Sequence, residues 1–159
     1  MIFVTLGSQK FQFNRLLIEI DRLVEESKIN EEIFAQIGYS DYKPKNYKFK
    51  QFLDRDEFAN IMGKCDKVIT HGGTGAIIGA VKKEKKVIAV PRLVKYGEHI
   101  DNHQLQIVNQ FKEMEFISAC SNVEELGEIY CQIENIKSVR YVSNTIKIIN
   151  SIDKFLKSV

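Results

Sequence analysis

The sequence predicts a doubly wound, mostly parallel α/β sheet of about six strands in one Rossmann-like domain. Three observations carry that prediction. Short apolar runs alternate with segments of helical period along the chain. The runs are nearly continuous in their hydrophobicity, as strands buried on both faces are. The glycine-bearing polar stretches follow directly after runs, where open parallel sheets hold their ligands.

Each element has its own warrant. IFVTL (Ile2–Leu6) is an apolar run of strand length. Asn14 is placed to cap a helix on which Leu16, Leu17, Ile20, Leu23 and Val24 recur at helical spacing. IFAQIG (Ile33–Gly38) and the alternating YKFKQF (Tyr47–Phe52) read as the second and third strands. Asp54 and Glu57 form a capping-box pattern, predicting a helix over Asp54–Lys64. KVIT (Lys67–Thr70) is the fourth strand, followed by a helix from Thr74 or Gly75; KVIAV (Lys86–Val90) is the fifth, stopped by Pro91. Asp101 or Asn102 caps a helix to about Lys112, and EFIS (Glu115–Ser118) is the sixth strand. Ser121 with Glu124 predicts a capped helix over Val123–Ile133. A last helix over Val142–Leu156 carries Val142, Ile146, Ile149, Ile152 and Leu156 on one stripe.

Composition bounds the function. With 159 residues, 44% hydrophobic and 28% charged, the chain supports one real core and is too short for two ordinary domains. A formal charge of +2 offers no field for nucleic acid, and the lysines of KPKNYKFK and KKEKK read as solvated faces. Cys65, Cys120 and Cys131 are odd in number with no C-x-x-C pair, which fits reduced thiols and neither a disulfide frame nor a zinc site. MIFVTLG lacks a basic leader. Nothing approaches the ~20 apolar residues of a membrane span. A cytoplasmic protein is expected, reaching a membrane only through its surface or a partner.

The chemistry gathers after three runs. Gly7-Ser8-Gln9 follows the first, His71-Gly72-Gly73-Thr74-Gly75 the fourth, and the polar loop from Pro91 to Asp101 the fifth. A helix N-terminus offers free N–H groups and a positive dipole end, and glycine lets backbone approach an anion. A tight strand-to-helix turn without ligand is the plain alternative. The dinucleotide fingerprint is excluded because Gly73, Gly75 and Gly79 leave one residue too many in the second gap. A P-loop is excluded because no Gly-Lys-Ser/Thr follows. The loop PRLVKYGEHIDNHQ is long for its place and offers Arg92, Lys95, Glu98, His99, Asp101, Asn102, His103 and Gln104, which suits a ligand rich in hydroxyls and phosphate. His99 and His103 straddle a helix start without a third ligand, so no metal is expected.

FVTLGS at the start, FLDRDEFANIMGKCDKVITHGGTGAI in the middle and VPRLVKYGEHIDNHQLQI after it resemble the C-terminal half of a family-28 glycosyltransferase of GT-B fold. MurG is the relative with both halves. The match is closest to free-standing small subunits called PssE-like, which are also similar to the catalytic subunit of the two-part transferase that adds GlcNAc to dolichol diphosphate. The resemblance covers roughly residues 1 to 120. It implies that this half binds a UDP-sugar, with UDP-galactose the usual donor and UDP-GlcNAc the second. It also implies a PssD-like, membrane-anchored subunit that binds the acceptor. The pair would extend a lipid-diphosphate-linked sugar in capsule or exopolysaccharide assembly, at the inner face of the cell membrane, with no cofactor. By position, Gly7 and Ser8 match the first diphosphate loop, and Phe52 and Leu53 match the backbone that reads uracil. Gly72, Gly73, Thr74 and Gly75 match the phosphate loop, and His103 with Gln104 match the pair on sugar and diphosphate. One departure stands out: Gly79 falls where MurG places a ribose-binding glutamate.

The expected reaction is hexose transfer with inversion, which needs a general base opposite the departing UDP. Glu98 and His99 are the residues of this chain placed for that role, unless the partner supplies the base. Loop amides with Arg92 or Lys95 would stabilise the leaving diphosphate without a metal. Two rivals remain: a non-catalytic subunit that stabilises a partner transferase, and a sugar-nucleotide epimerase, which needs both halves in one chain. The final helix is expected either to pack in the core or, with Phe11 and Phe13, to dock a partner or membrane.

Overall fold

The computed structural model describes residues 1–136 and 139–158. Along the chain lie β1 (Ile2–Thr5), α1 (Asn14–Glu25), β2 (Ile33–Gln36), β3 (Lys48–Lys50), α2 (Arg55–Lys64), β4 (Lys67–His71) and α3 (Thr74–Val81). β5 (Lys86–Val90), α4 (His103–Glu113), β6 (Ser118–Ala119), α5 (Leu126–Gln132) and α6 (Thr145–Leu156) complete it. The strands pair in the order β3-β2-β1-β4-β5-β6, and every pair is parallel. The strand order reverses between β1 and β4, the switch point where such sheets open a crevice. There Thr5 aligns with Gln36 on one side and Thr70 on the other, so three loops leave the sheet side by side.

Strand alternation sorts the side chains into two layers. Ile2, Val4, Ile69 and Ile88 pack with α1 and α5, while Phe3, Val68 and Val87 pack with α2, α3 and α4. Both faces of the sheet are covered, which explains the unbroken apolar runs. On α1, Leu16, Leu17, Ile20 and Leu23 are fully buried, each worth about 1.5–3 kcal/mol of burial. The capping box of α2 forms as expected: the Asp54 carboxylate accepts from Asp56 N and Glu57 N, and Glu57 reaches back to Asp54 N.

Other elements depart from expectation, each for a local reason. Asn14 is the first helical residue, not the cap, and its side-chain oxygen accepts from Tyr42 N at 3.1 Å. The sixth strand is shorter and later than Glu115–Ser118, because Glu115 turns left-handed (φ 58°) and Phe116 N closes back on Phe111 O. The Ser121–Glu124 box does not form; a 3-10 turn over Val123–Glu125, with Asn122 as its uncapped N-cap, precedes α5.

The last helix begins at Thr145 and buries no residue. Ile146, Ile149, Ile152 and Leu156 are 54–73% exposed, so the expectation of core packing is overturned. Phe13, expected on the same docking face, is instead fully buried in the core beside α1. Among the described residues no helix is long and apolar enough to cross a membrane.

These burials separate two isoleucines of the same type. Ile20→Ala empties a filled site and should destabilise the chain by about 2–5 kcal/mol, whereas Ile152→Ala should shift stability by less than about 0.5 kcal/mol. Chemical denaturation of the two variants against the parent checks the contrast.

Candidate functional site

The carboxyl edge of the sheet is built around one imidazole. His71 ends β4 and is buried, with Nδ1 3.4 Å from Thr5 O, while Thr70 Oγ1 donates to the same carbonyl at 2.9 Å. Its ring fills the gap between two turns. A Cβ on Gly7 would lie 2.7 Å from His71 Cε1, and one on Gly73 would lie 2.3 Å from His71 Nε2. Gly7 also has φ +72°, where a side chain is strained. Gly72 is tight for another reason: a Cβ there would meet Gln104 Cβ at 2.7 Å, so α4 packs directly on the turn. Gly75 and Gly79 face open space. Burial, with Arg92 adding to it, pushes His71 down to about 4, so the ring is neutral at physiological pH.

Gly73 is the N-cap of α3 and no side chain caps the helix. The first-turn N–H groups have no intrahelical acceptor and point past exposed Thr74 and Gly75. Ser8 is exposed on the neighbouring turn. Together the Gly7 and Gly73 turns form an amide-rich, open edge suited to a diphosphate. A cavity of about 280 Å³ lined by Val81, Lys86, Phe116 and Arg140 lies at the amino end of β5, away from this edge and its chemistry.

The loop after β5 is held from beneath. Gln104 is buried, and its Oε1 accepts from both Gly72 N and Arg92 N at 3.1 Å, tying the fourth and fifth loops together. Its Nε2 makes no hydrogen bond among the described residues. Arg92, expected to contact the ligand, is fully buried under the edge; Nη2 donates to Leu6 O at 2.8 Å and Phe11 O at 3.2 Å. Burial pushes its pKa down to about 10, partly offset by Glu98, and it stays charged at neutral pH. Lys95 is the exposed cation of the loop, with Nζ over the Tyr96 ring.

Glu98 does not face the edge. It is 1% exposed, and its oxygens accept from Arg15 Nε at 2.7 Å, Arg15 Nη2 at 3.0 Å and Leu93 N at 3.0 Å. A carboxylate so enclosed has no route to a hydroxyl proton and serves to latch the loop onto α1. His99 is placed differently: Nδ1 lies 3.0 Å from Asp101 Oδ1, and the ring packs on Phe11 at 5.0 Å. Asp101 is held below the usual carboxylate range, first by the His103 N–H and then by the nearby histidine. The Asp101 N–H also donates to this Nδ1 at 3.3 Å, so Asp101 holds the ring through both its backbone and its side chain. His103 is exposed at the start of α4.

Leu53 is half-buried, and its N–H donates to Gln36 Oε1 at 3.3 Å; Gln36 Nε2 reaches Gly7 O at 3.4 Å. Sequence reasoning passed over Gln36, although a polar residue closing an apolar run at the ligand edge was a usable signal. It named Phe52 but missed Tyr39, the exposed ring that meets Phe52 edge-to-face at 5.1 Å beside Leu53. Arg15 carried no signal, since its partner Glu98 lies 83 positions away.

Residues 1–154 match the model of the glycosyltransferase family 28 C-terminal domain. The chain belongs to that family. Over 85 residues it is 31% identical to the UDP-N-acetylglucosamine transferase subunit ALG13 of Candida albicans, covering 54% of this chain and 27% of that protein. ALG13 of Kluyveromyces lactis is 33% identical over 86 residues, covering 54% and 41%. The match thus spans less than half the length of either relative. Among solved structures, Acinetobacter baumannii MurG is similar with a TM-score of 0.60 at 16% identity, over 84% of this chain and 41% of that one. A solution structure of ALG13 gives 0.58 at 17% identity, over 89% of both chains. At those identities the likeness speaks for the GT-B fold.

The neutral His71 sets a pH dependence with a definite sign. Its pKa is depressed from 6.5 to about 4 in the fold, so the unfolded chain binds the extra proton as pH falls through that window and stability is lost there. Acidification from pH 6.5 to 4 should cost on the order of 3 kcal/mol through this group. The difference in melting between parent and His71→Asn, followed across that range, should shrink accordingly.

Proposed function

We propose that this chain is the nucleotide-sugar-binding subunit of a two-part, inverting glycosyltransferase. The observation that carries the reading is the pairing of the Gly7 and Gly73 turns around His71, with the uncapped start of α3 between them and open space above. A UDP diphosphate fits the turn amides and the α3 dipole, which accept the charge that grows on the leaving group. The uracil falls toward Leu53 and the Tyr39–Phe52 pair, and the hexose toward His103 and the free end of Gln104. The relatives are named as UDP-N-acetylglucosamine transferase subunits, which favours UDP-GlcNAc as donor. UDP-galactose, and a part in capsule or exopolysaccharide assembly with a PssD-like partner, are supported by the PssE-like resemblance alone.

His99, poised by Asp101, is the residue of this chain placed to take the acceptor proton. The enclosure of Glu98 favours a second reading, in which this chain holds the donor and the partner supplies the base. The exposed stripe of α6 is the face offered to a membrane-anchored partner, which would hold this chain at the cytoplasmic side of the membrane. Such a stripe suits helix-in-groove recognition.

Two measurements decide between these readings. In the co-expressed pair, His99→Gln should lower kcat for transfer from UDP-GlcNAc or UDP-galactose to a lipid-diphosphate acceptor by roughly 10²-fold or more. UDP affinity should stay unchanged. An unchanged kcat moves the base to the partner, and a pair with neither UDP binding nor transfer ends the proposal. Separately, Ile149→Ser with Ile152→Ser should abolish co-purification of the partner while leaving the melting temperature of this chain as it was.

A further inference from the structure

Arg92 is the unresolved charge of this fold. Its side chain is fully buried, yet Nε and Nη1 have no hydrogen-bond partner among the described residues. Its third nitrogen meets only two neutral carbonyls, Leu6 O and Phe11 O. The guanidinium also stands 5.5 Å from the centre of the Phe13 ring, which Arg15 shares at 5.1 Å. The carboxylate that influences Arg92, Glu98, is held by two nitrogens of Arg15, Nε and Nη2, and by Leu93 N. Among the described residues one cation therefore remains without an ion-pair partner, in a place where an isolated charge is expensive.

Its position says what the charge is for. The two carbonyls that Nη2 holds are the two ends of the turn that contains Gly7 and Ser8. The same charge helps to keep His71 neutral, so the group acts on the other turn as well. We infer that Arg92 is a positioning residue whose missing counter-ion is the bound diphosphate: it clamps the Gly7 turn from beneath and places an unpaired positive charge under the anion site. This inference rests on the donor-binding reading above. It differs from it in mechanism, because Arg92 lies beneath the surface and acts through the turn and its field, not by touching phosphate.

A field acts in proportion to the ligand's charge, whereas a structural tether affects every ligand alike. Uridine, uridine monophosphate and UDP share the base and ribose and differ in charge, so they separate the two. Calorimetric titration of each into the full chain gives the affinity ladder for the parent and for Arg92→Gln, which keeps a donor for Leu6 O without the charge. Through an effective dielectric of about 20, the loss of one such charge should weaken UDP by roughly tenfold or more, the monophosphate by less, and uridine by no more than about twofold. Arg92→Lys, charged but without the fork, should keep most of the preference for UDP and guards against a fold that fails with Gln. Equal weakening of all three ligands, an unchanged ladder, or an Arg92→Lys ladder as flat as that of Arg92→Gln overturns the inference while leaving donor binding intact. A parent chain that does not prefer UDP to uridine removes the donor-binding reading itself.

Discussion

The imidazole of His71 wedges between the turns of Gly7 and Gly73, and the form of the ligand edge follows from that contact. β1 and β4 are neighbours in register, with Thr5 beside Thr70, so their loops leave the sheet at one level. A ring is thick enough to hold the two turns apart and flat enough to let their backbones face one way. Both glycines are then required by the absence of a Cβ, not by flexibility. The arrangement also demands a neutral ring, since a charged imidazole in that gap would be stripped of water and would stand near the buried Arg92.

Electrostatics organises the next layer outward. The long loop after β5 would be a costly flap if left to itself. Instead Glu98 grips Arg15, Arg15 donates to Pro91 O, and Gln104 joins the Gly72 and Arg92 amides. The Arg15 contacts and the Gly72 contact join elements far apart in the chain, the Arg92 contact closes the loop on itself, and together they make the loop part of the body. The enclosed Glu98 is thereby a fastening and not an acid or base. Lys95 and His103 are exposed and His99 is half-buried, so these are the polar residues of the loop that stay open to the proposed ligand. Burial has divided the charged residues into those that build the site and those that face it.

The α6 helix stands outside this economy. Its apolar stripe is as well formed as that of α1, yet α1 buries four large residues fully and α6 buries none. The body is already covered on both sheet faces by α1 to α5, so no core position remains for α6 to occupy.

Much of this was legible in the chain. Strand and helix alternation, the capping box at Asp54, and the placement of glycine turns after the first and fourth runs depend on local chemistry: period, capping and the need for a bare backbone. Those signals determined the fold class and brought Gly7, His71, Gly73 and Gln104 to one edge, because parallel strands must send their carboxyl ends the same way. What only the tertiary structure decided was which polar residues face inward. Glu98 and Arg92 read as ligand contacts by residue type and position, and they are buried because partners 81 to 86 positions distant reach them through the fold. The stripe of the last helix likewise could not reveal whether a core awaited it, since amphipathicity records a face to be covered and not what covers it.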